Sequence, residues 1–396
     1  MFNAKSIHEF VESHRDEAIS ALQEIVRCPS VTGDEEAVSF IFERYLKENG
    51  FAVNRVEAAP HRPCLLTEMA GTRPGKRFVF QGHMDVFPPD PSDPGQYGPW
   101  AGEIVDGRLY GRGSVDMKAG TVGAMMTLIF LKKMGYDPQG SIQLAMMCDE
   151  ENGGRLGVQN LIKQGLIKGD FGITPEPSDQ FILRRYAGIL RGYVTYRAPA
   201  QHNGTPYKFG LNAIQKAVRA IMKLEAIIDR LKLECANAEP TPVMTLSVIN
   251  GGTAPNCAPS DATFWFDRRL SCDENHETAL AEITAILDDL KAKDPTFEYE
   301  LTVTSARPPL DIPADDPFIR LLQDAYESIH GRRPEAITGI GASDGTYVRN
   351  ATGMPIPDFG VDGRISQIGK PNENVGLQDY LDFIKVYMLS VVNALG

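Results

Sequence analysis

The chain has 396 residues, with 40 Lys+Arg against 52 Asp+Glu and a formal charge of −12, so a nucleic-acid or anionic-membrane surface is a poor fit. At 42% hydrophobic and 23% charged residues it reads as a globular protein long enough for two or three domains, which excludes disorder and fibrous folds. The longest nearly apolar run, Ala124 to Leu131 broken by Thr127, falls short of the ~20 residues that a bilayer span needs. The acidic start, with Glu9, Glu12, Asp16 and Glu17, lacks the basic and then apolar regions of a signal peptide. Six cysteines without a CxxC pair or a disulfide-framework spacing set the expectation of a reducing cytoplasm.

Residues 5–27 carry apolar positions at helical spacing, and Thr32 with Glu35 reads as a capping box for a helix to about Asn49, stopped by Gly50. Phe51–Val56, Cys64–Met69 and Arg77–Gln81 are short apolar runs bounded by Pro or Gly, and Ile142–Cys148 is almost unbroken, as expected of a strand buried on both faces of a parallel or mixed sheet. Pro88–Pro99 reads as a loop. The rhythm then changes. Gly188–Arg197 alternates like a strand, Leu211–Lys232 is an amphipathic helix, Val243–Ile249 and Ala262–Arg269 are strands, Glu274–Lys293 a helix and Phe297–Thr304 a strand, the order βαββαβ. A helix at Pro317–His330, a strand near Ile356–Phe359 and a helix at Leu377–Leu395 return to the first style. The expected organisation is an α/β mixed-sheet domain, 1–186 and 306–396, interrupted by a ferredoxin-like βαββαβ insertion at 187–305.

Four polar clusters follow apolar runs, where loops at the carboxyl edge of a sheet gather ligands. GHMDVFP places His83 and Asp85 after a strand, and period-2 geometry turns Asp85 toward the second ring nitrogen of His83. GRGSVDMKAG places Asp116 in a Gly-rich turn before a helix that starts near Lys118, where a simple N-cap is the competing use. DEENGG sets Asp149, Glu150 and Glu151 side by side after the buried strand, a repulsion that a cation relieves and that a solvated loop also tolerates. ITPEPSD holds Glu176 between two prolines, rigid as a ligand and equally at home in an exposed turn. One imidazole and several carboxylates at successive strand ends make the ligand set of a hydrolytic zinc, cobalt or manganese site.

In that order, and followed by a βαββαβ insertion, these motifs resemble the zinc aminoacylase and carboxypeptidase family of clan MH, which includes acetylornithine deacetylase, succinyl-diaminopimelate desuccinylase and the glutamate carboxypeptidases. The resemblance covers essentially the whole chain. It implies that His83, Asp116 and Glu176 hold a first metal, that Asp116 bridges to a second held by Glu151, and that Asp85 orients His83. It further implies that Glu150 is the general base, taking a proton from the attacking water and returning it to the leaving nitrogen. In QHNGTPYKFG, His202 matches a histidine that reaches into the partner subunit's site; Asn256 and Arg269 match substrate-contacting residues, the Arg for a carboxylate, with Arg268 its neighbouring alternative. GASDGTYV and FGVDG resemble substrate-side Gly-rich loops.

One position departs from the pattern. The family's last ligand of the second metal is a His three residues before an Asn followed by Glu; here QIGKPNENV keeps Asn372 and Glu373 but puts Gly369 at that place. Three arrangements are open: a single tight metal, a second metal completed by water, Gln367 or Lys370, or a non-catalytic binding relative. The expectation is a cytoplasmic homodimeric hydrolase of a linear C–N bond in a small N-acyl amino acid or dipeptide-like substrate bearing a carboxylate. A deaminase-type reaction on another C–N bond is the alternative.

Overall fold

The structure is a computed structural model that describes residues 2–199, 201–202, 211–235 and 237–396. The chain divides into two units: one comprises residues 1–184, 312–339 and 343–396, the other residues 185–311 with 340–342.

The first unit is built on a five-stranded sheet. Its strands are β1 (Val53–Ala59), β2 (Arg62–Ala70), β3 (Arg73–His83), β4 (Gln139–Met147) and β5 (Phe171–Ile173), in the spatial order β1-β2-β4-β3-β5. β4 pairs antiparallel with β2 and parallel with β3, and β3 pairs parallel with β5. With neighbours on both sides and helices on the faces, β4 is buried from Ser141 to Met147, which is why its sequence lacks alternation. The helix Ala119–Lys133 is buried from Ala119 to Leu131. The span Ser114–Lys133 is long and apolar enough to cross a membrane, but 94% of its apolar window is packed inside the protein. The C-terminal helix Leu377–Leu395 covers the same face of the sheet, Tyr387 meeting Phe80 edge-on at 5.5 Å.

Three local expectations differ from the structure. Residues 5–27 form two helices, Ala4–Ser13 and Arg15–Arg27, parted at His14, whose ring takes up the Phe10 carbonyl at 2.9 Å. Thr32 and Glu35 do not form a capping box: the helix starts at Glu36 without a side-chain cap, the Thr32 hydroxyl donates to Asp85 Oδ2 at 2.8 Å, and Glu35 accepts both arms of Arg62 at 2.6 and 2.8 Å. Residues 356–359 make isolated bridges rather than a strand. Pro355 and Pro357 have no N–H to give, so this segment accepts from Gly172 and Thr174 through their carbonyls without building a ladder.

The second unit has an antiparallel four-stranded sheet of β6 (Gly188–Arg197), β7 (Val243–Gly251), β8 (Asp261–Leu270) and β9 (Tyr299–Arg307), ordered β7-β8-β6-β9. Helices Ala213–Glu234 and His276–Lys293 are capped by Asn212 and Asn275, whose side chains accept from Gln215 and Thr278 at 3.0 and 2.8 Å. On β8, Ala262, Phe264, Phe266, Arg268 and Leu270 are buried, with Thr263, Trp265, Asp267 and Arg269 half-buried between them, the period-2 alternation of a sheet with one face packed under helices. The connections that lead in and out of this unit pair with each other, Arg185 with Asp311 and Tyr186 with Leu310.

Candidate metal centre

The parallel pairing of three strands assembles the site. His83 ends β3 opposite Met147 of β4, and Phe80 lies opposite Ile173 of β5, so the chain leaves all three strands at one carboxyl edge. β3 delivers His83, β4 continues into Asp149–Glu150–Glu151, and β5 continues into Glu176. Asp116 arrives from the turn before the helix Ala119–Lys133, with a cis peptide to Met117. That turn is tied to His83 directly: the Thr121 hydroxyl donates to the His83 carbonyl at 3.0 Å and the His83 N–H meets Met117 Sδ at 3.3 Å.

His83 is 2% exposed. Its Nε2 lies 3.5 Å from Asp116 Oδ1 and 3.6 Å from Glu176 Oε1, and ligand atoms of His83, Asp116 and Glu151 all fall within 4.8 Å of one another. Nδ1 sits 2.7 Å from the backbone carbonyl of Asp85; a carbonyl only accepts, so Nδ1 carries the proton and Nε2 is left to face the carboxylates. This corrects the expectation for Asp85. Its side chain is 3.6 Å from Nδ1 and is used elsewhere, Oδ1 accepting the N–H of Glu150 and Oδ2 that of Glu151, both at 3.2 Å. The chain turns after His83, so the backbone of Asp85 orients the imidazole while its carboxylate holds the Glu150–Glu151 turn.

Asp149 is separated from its two neighbours. With φ +73° it turns the chain, its Oδ1 accepts from Arg62 at 3.0 Å and its Oδ2 from the Leu156 N–H at 2.9 Å. The triple-carboxylate repulsion anticipated from DEENGG is thereby relieved in part by Arg62. Glu176 is fixed by glycines as well as by its prolines: a Cβ on Gly120 would stand 1.8 Å from the Pro175 carbonyl oxygen, and one on Gly360 would stand 2.4 Å from that of Glu176. In this respect FGVDG is a packing surface for the Glu176 loop.

Burial pushes the Glu176 carboxyl well above its usual range, with the charge of Asp116 adding to it, and the same two causes lift Glu151 to about 8. Burial raises Asp85 to about 6. Burial alone would lower the His83 imidazole, but Asp116, Glu176, Asp85 and Glu150 overrule it and raise it well above its ordinary value. Buried carboxylates that repel one another around an imidazole bind a compensating cation, and this set of one nitrogen and several hard oxygens suits a divalent ion such as zinc, cobalt or manganese.

Gly369 lines the same solvent-open cavity, of about 280 Å³, as Asp116 and Glu151. Two residues of the quoted motifs acquire a role that spacing did not reveal. Glu373, 2% exposed, accepts the N–H groups of Val115 and Asp116 at 3.3 Å and Arg112 Nη1 at 2.6 Å, while Arg112 Nη2 donates to the Gly369 carbonyl at 3.0 Å. This buried ion pair anchors the Asp116 turn; its only sequence signal is the presence of Arg112 and Glu373 inside GRGSVD and PNEN.

The remaining candidates lie in the second unit. His202 and Asn256 are exposed neighbours, with His202 Nε2 and Asn256 Nδ2 3.3 Å apart beside a short antiparallel pairing of Gln201–His202 with Cys257–Ala258. The continuation of the His202 motif, 203–210, lies outside the described residues. Arg269 is half-buried and donates to Asp267 at 2.9 Å. Arg268, its alternative, points under the helices and is locked to Glu274 and Glu282 at 2.7 and 2.6 Å.

Residues 79–393 match the model of peptidase family M20/M25/M40. A succinyl-diaminopimelate desuccinylase of Methylorubrum extorquens is 31% identical over 383 residues, 93% of this chain and 96% of its own length. The fold is similar to that of an M20 family metallo-carboxypeptidase from Sulfolobus solfataricus, with a TM-score of 0.78 at 17% identity over 96% of this chain and 99% of that one. Human carnosine dipeptidase 1 gives 0.74 at 17% identity over 99% and 98%. The family match and the near full-length identity establish that the chain belongs to peptidase family M20/M25/M40 and is a metal-dependent amidohydrolase.

Proposed function

We propose that this protein removes the acyl group from a small N-acyl amino acid, or splits a dipeptide-like substrate, with Glu150 as the general base. The observation that carries the reading is the convergence of His83, Asp116, Glu151 and Glu176 at one sheet edge, with buried Glu150 directly before Glu151 in the chain. His83, Asp116 and Glu176 would hold one tight divalent ion, and Glu151 would face a second position that Gly369 leaves without a side-chain ligand. A divalent ion bound there supplies Lewis acidity, polarising a carbonyl and acidifying a water. The Glu150 carboxylate accepts the proton of the attacking water and delivers it to the amide nitrogen as the C–N bond breaks. The Asp85 carboxylate keeps the Glu150 backbone in place through its N–H. In the second unit, Arg269 would hold a substrate carboxylate, Asn256 would contact the substrate, and His202 would complete the partner subunit's site. Exposed Val248 and Ile249 on edge strand β7, with exposed Met222 on the helix Ala213–Glu234, support a homodimer built on this unit.

Metal analysis after gel filtration, combined with a screen of N-acyl amino acids and dipeptides in the presence of zinc, cobalt or manganese, tests this. The expected result is about one retained equivalent per chain, the number that a complete three-ligand site holds, and amide hydrolysis that a chelator abolishes. Two equivalents resisting mild chelation would overturn the single-site reading; hydrolysis indifferent to metal removal would overturn the mechanism.

A further inference from the structure

The cavity beside Asp116 and Glu151 carries two features that proton transfer and metal binding leave unused. Phe87 is 53% exposed and Ile368 is 40% exposed, and both line that cavity together with Gly369 and the carboxylates. Large apolar side chains facing water at the mouth of a polar site mark a place where a ligand is dehydrated. There is open space at Gly369: a Cβ there would have no atom within 4 Å.

The walls are held in place. The Gly369 carbonyl is fixed by Arg112, itself locked to Glu373, and the backbone before Phe87 is pinned where the Val86 N–H meets the Ser30 carbonyl at 2.9 Å. A recess built this way does not collapse to bury its own apolar surface, so a ligand that fills it finds the cost of ordering already met. Its polar lining also selects. Arg112 is the one cationic side chain among its described lining residues, and two arms of its guanidinium are already engaged by Glu373 and the Gly369 carbonyl, so an acyl tail ending in a carboxylate finds no free side-chain cation there.

We infer that Phe87 and Ile368 are specificity-determining residues that hold a bulky uncharged apolar group, aliphatic or aromatic, carried next to the scissile amide. This rests on the amidohydrolase reading above and names its substrate class. The test separates the two. Calorimetric binding to the zinc-loaded Glu150→Gln protein is measured for N-acetyl-, N-hexanoyl-, N-phenylacetyl- and N-succinyl-alanine and for N-acetyl-leucine and N-acetyl-phenylalanine, and turnover of the same compounds is measured with the unaltered chain. At least one apolar series should bind tenfold or more tightly than N-acetyl-alanine, with N-succinyl-alanine no tighter than the acetyl parent. Phe87→Ser and Ile368→Ser should each erase the apolar preference while leaving N-acetyl-alanine binding within twofold. No apolar preference, tightest binding of the succinyl compound, or an equal loss for every compound in the Ser variants would overturn the inference. Apolar-selective binding without any turnover would leave it standing and overturn the proposed N-acyl amino acid deacylation instead.

Discussion

Glu150 and Asp149 are adjacent carboxylates with different uses, and their surroundings separate them. Both oxygens of Asp149 are already engaged, by Arg62 and by the Leu156 N–H. Glu150 is placed by its N–H on Asp85. Glu150→Gln should therefore lower turnover by at least ~100-fold, the scale of general acid–base catalysis, with metal content unchanged by elemental analysis. Near-normal turnover in that variant would remove Glu150 from the role, and Asp149 could not take it over without giving up Arg62. The motifs identify these residues by type and order, but they do not show which carboxylate has a cation of its own. Arg62 and Glu35 are distant in sequence from DEENGG, and only the antiparallel pairing of β2 with β4 brings Arg62 to Asp149. Asp85 departs from expectation for a related reason: period-2 reasoning holds inside a strand and lapses where the chain turns after His83.

At the level of elements, the first turn of the helix Ala119–Lys133 grips both His83 and the Glu176 loop. Gly120 has no room for a Cβ against the Pro175 carbonyl, and backbone on both sides cannot yield without moving Glu176. Gly120→Ala should weaken divalent-ion affinity by at least ~10-fold, the effect of disturbing the support behind a metal ligand, as read by competition with a chromogenic chelator. Unchanged affinity would show that the loop relaxes without cost. A second element contact governs acid stability. Lys385, buried in the C-terminal helix, donates to Glu12 of the first helix at 2.6 Å and to Asp382 at 2.7 Å. The Lys385 hydrogen bond, working against a smaller effect of burial, holds the Glu12 carboxyl below its ordinary value of 4.5. A depressed carboxyl contributes stability above its unfolded value and loses it as pH falls through the folded one. Glu12→Gln should cost ~1–3 kcal/mol at pH 7 in urea denaturation, and the gap to the unaltered chain should close below about pH 4. A gap independent of pH would assign the contact to packing alone.

For the molecule as a whole, the proposal that His202 completes the partner subunit's site predicts complementation. His202→Ala and Glu150→Gln chains are each expected to be weak, and on re-mixing some dimers should carry one site with both intact residues, so activity should exceed that of either parent. If mass spectrometry shows subunit exchange and activity does not rise, His202 acts within its own chain or not at all. The βαββαβ rhythm is legible in the sequence because each of its helices and strands is long, periodic and bounded by turn residues. The segment at 356–359 is not, since its apolar residues match a strand while Pro355 and Pro357 remove the donors of a ladder. Thr32 and Glu35 have the spacing of a cap, but Asp85 and Arg62 compete for their side chains and win. Local pattern fails where a distant partner offers a stronger bond.

The paired connections of the second unit have a consequence for modularity. Arg185 lies opposite Asp311, and Ile189 lies opposite Arg307, so the polypeptide leaves and rejoins the metal-binding unit at neighbouring points. Facing residues of an antiparallel pair are ~5 Å apart, a gap that a two-residue turn closes. The metal unit is thus interrupted in sequence but not opened in space. A shortened chain with a small turn in place of the insertion would retain His83, Asp116, Glu150, Glu151 and Glu176 and lose His202, Asn256 and Arg269. A single excision would thus divide the residues proposed to capture the cation from His202, Asn256 and Arg269, while Phe87 and Ile368 would stay with the first set.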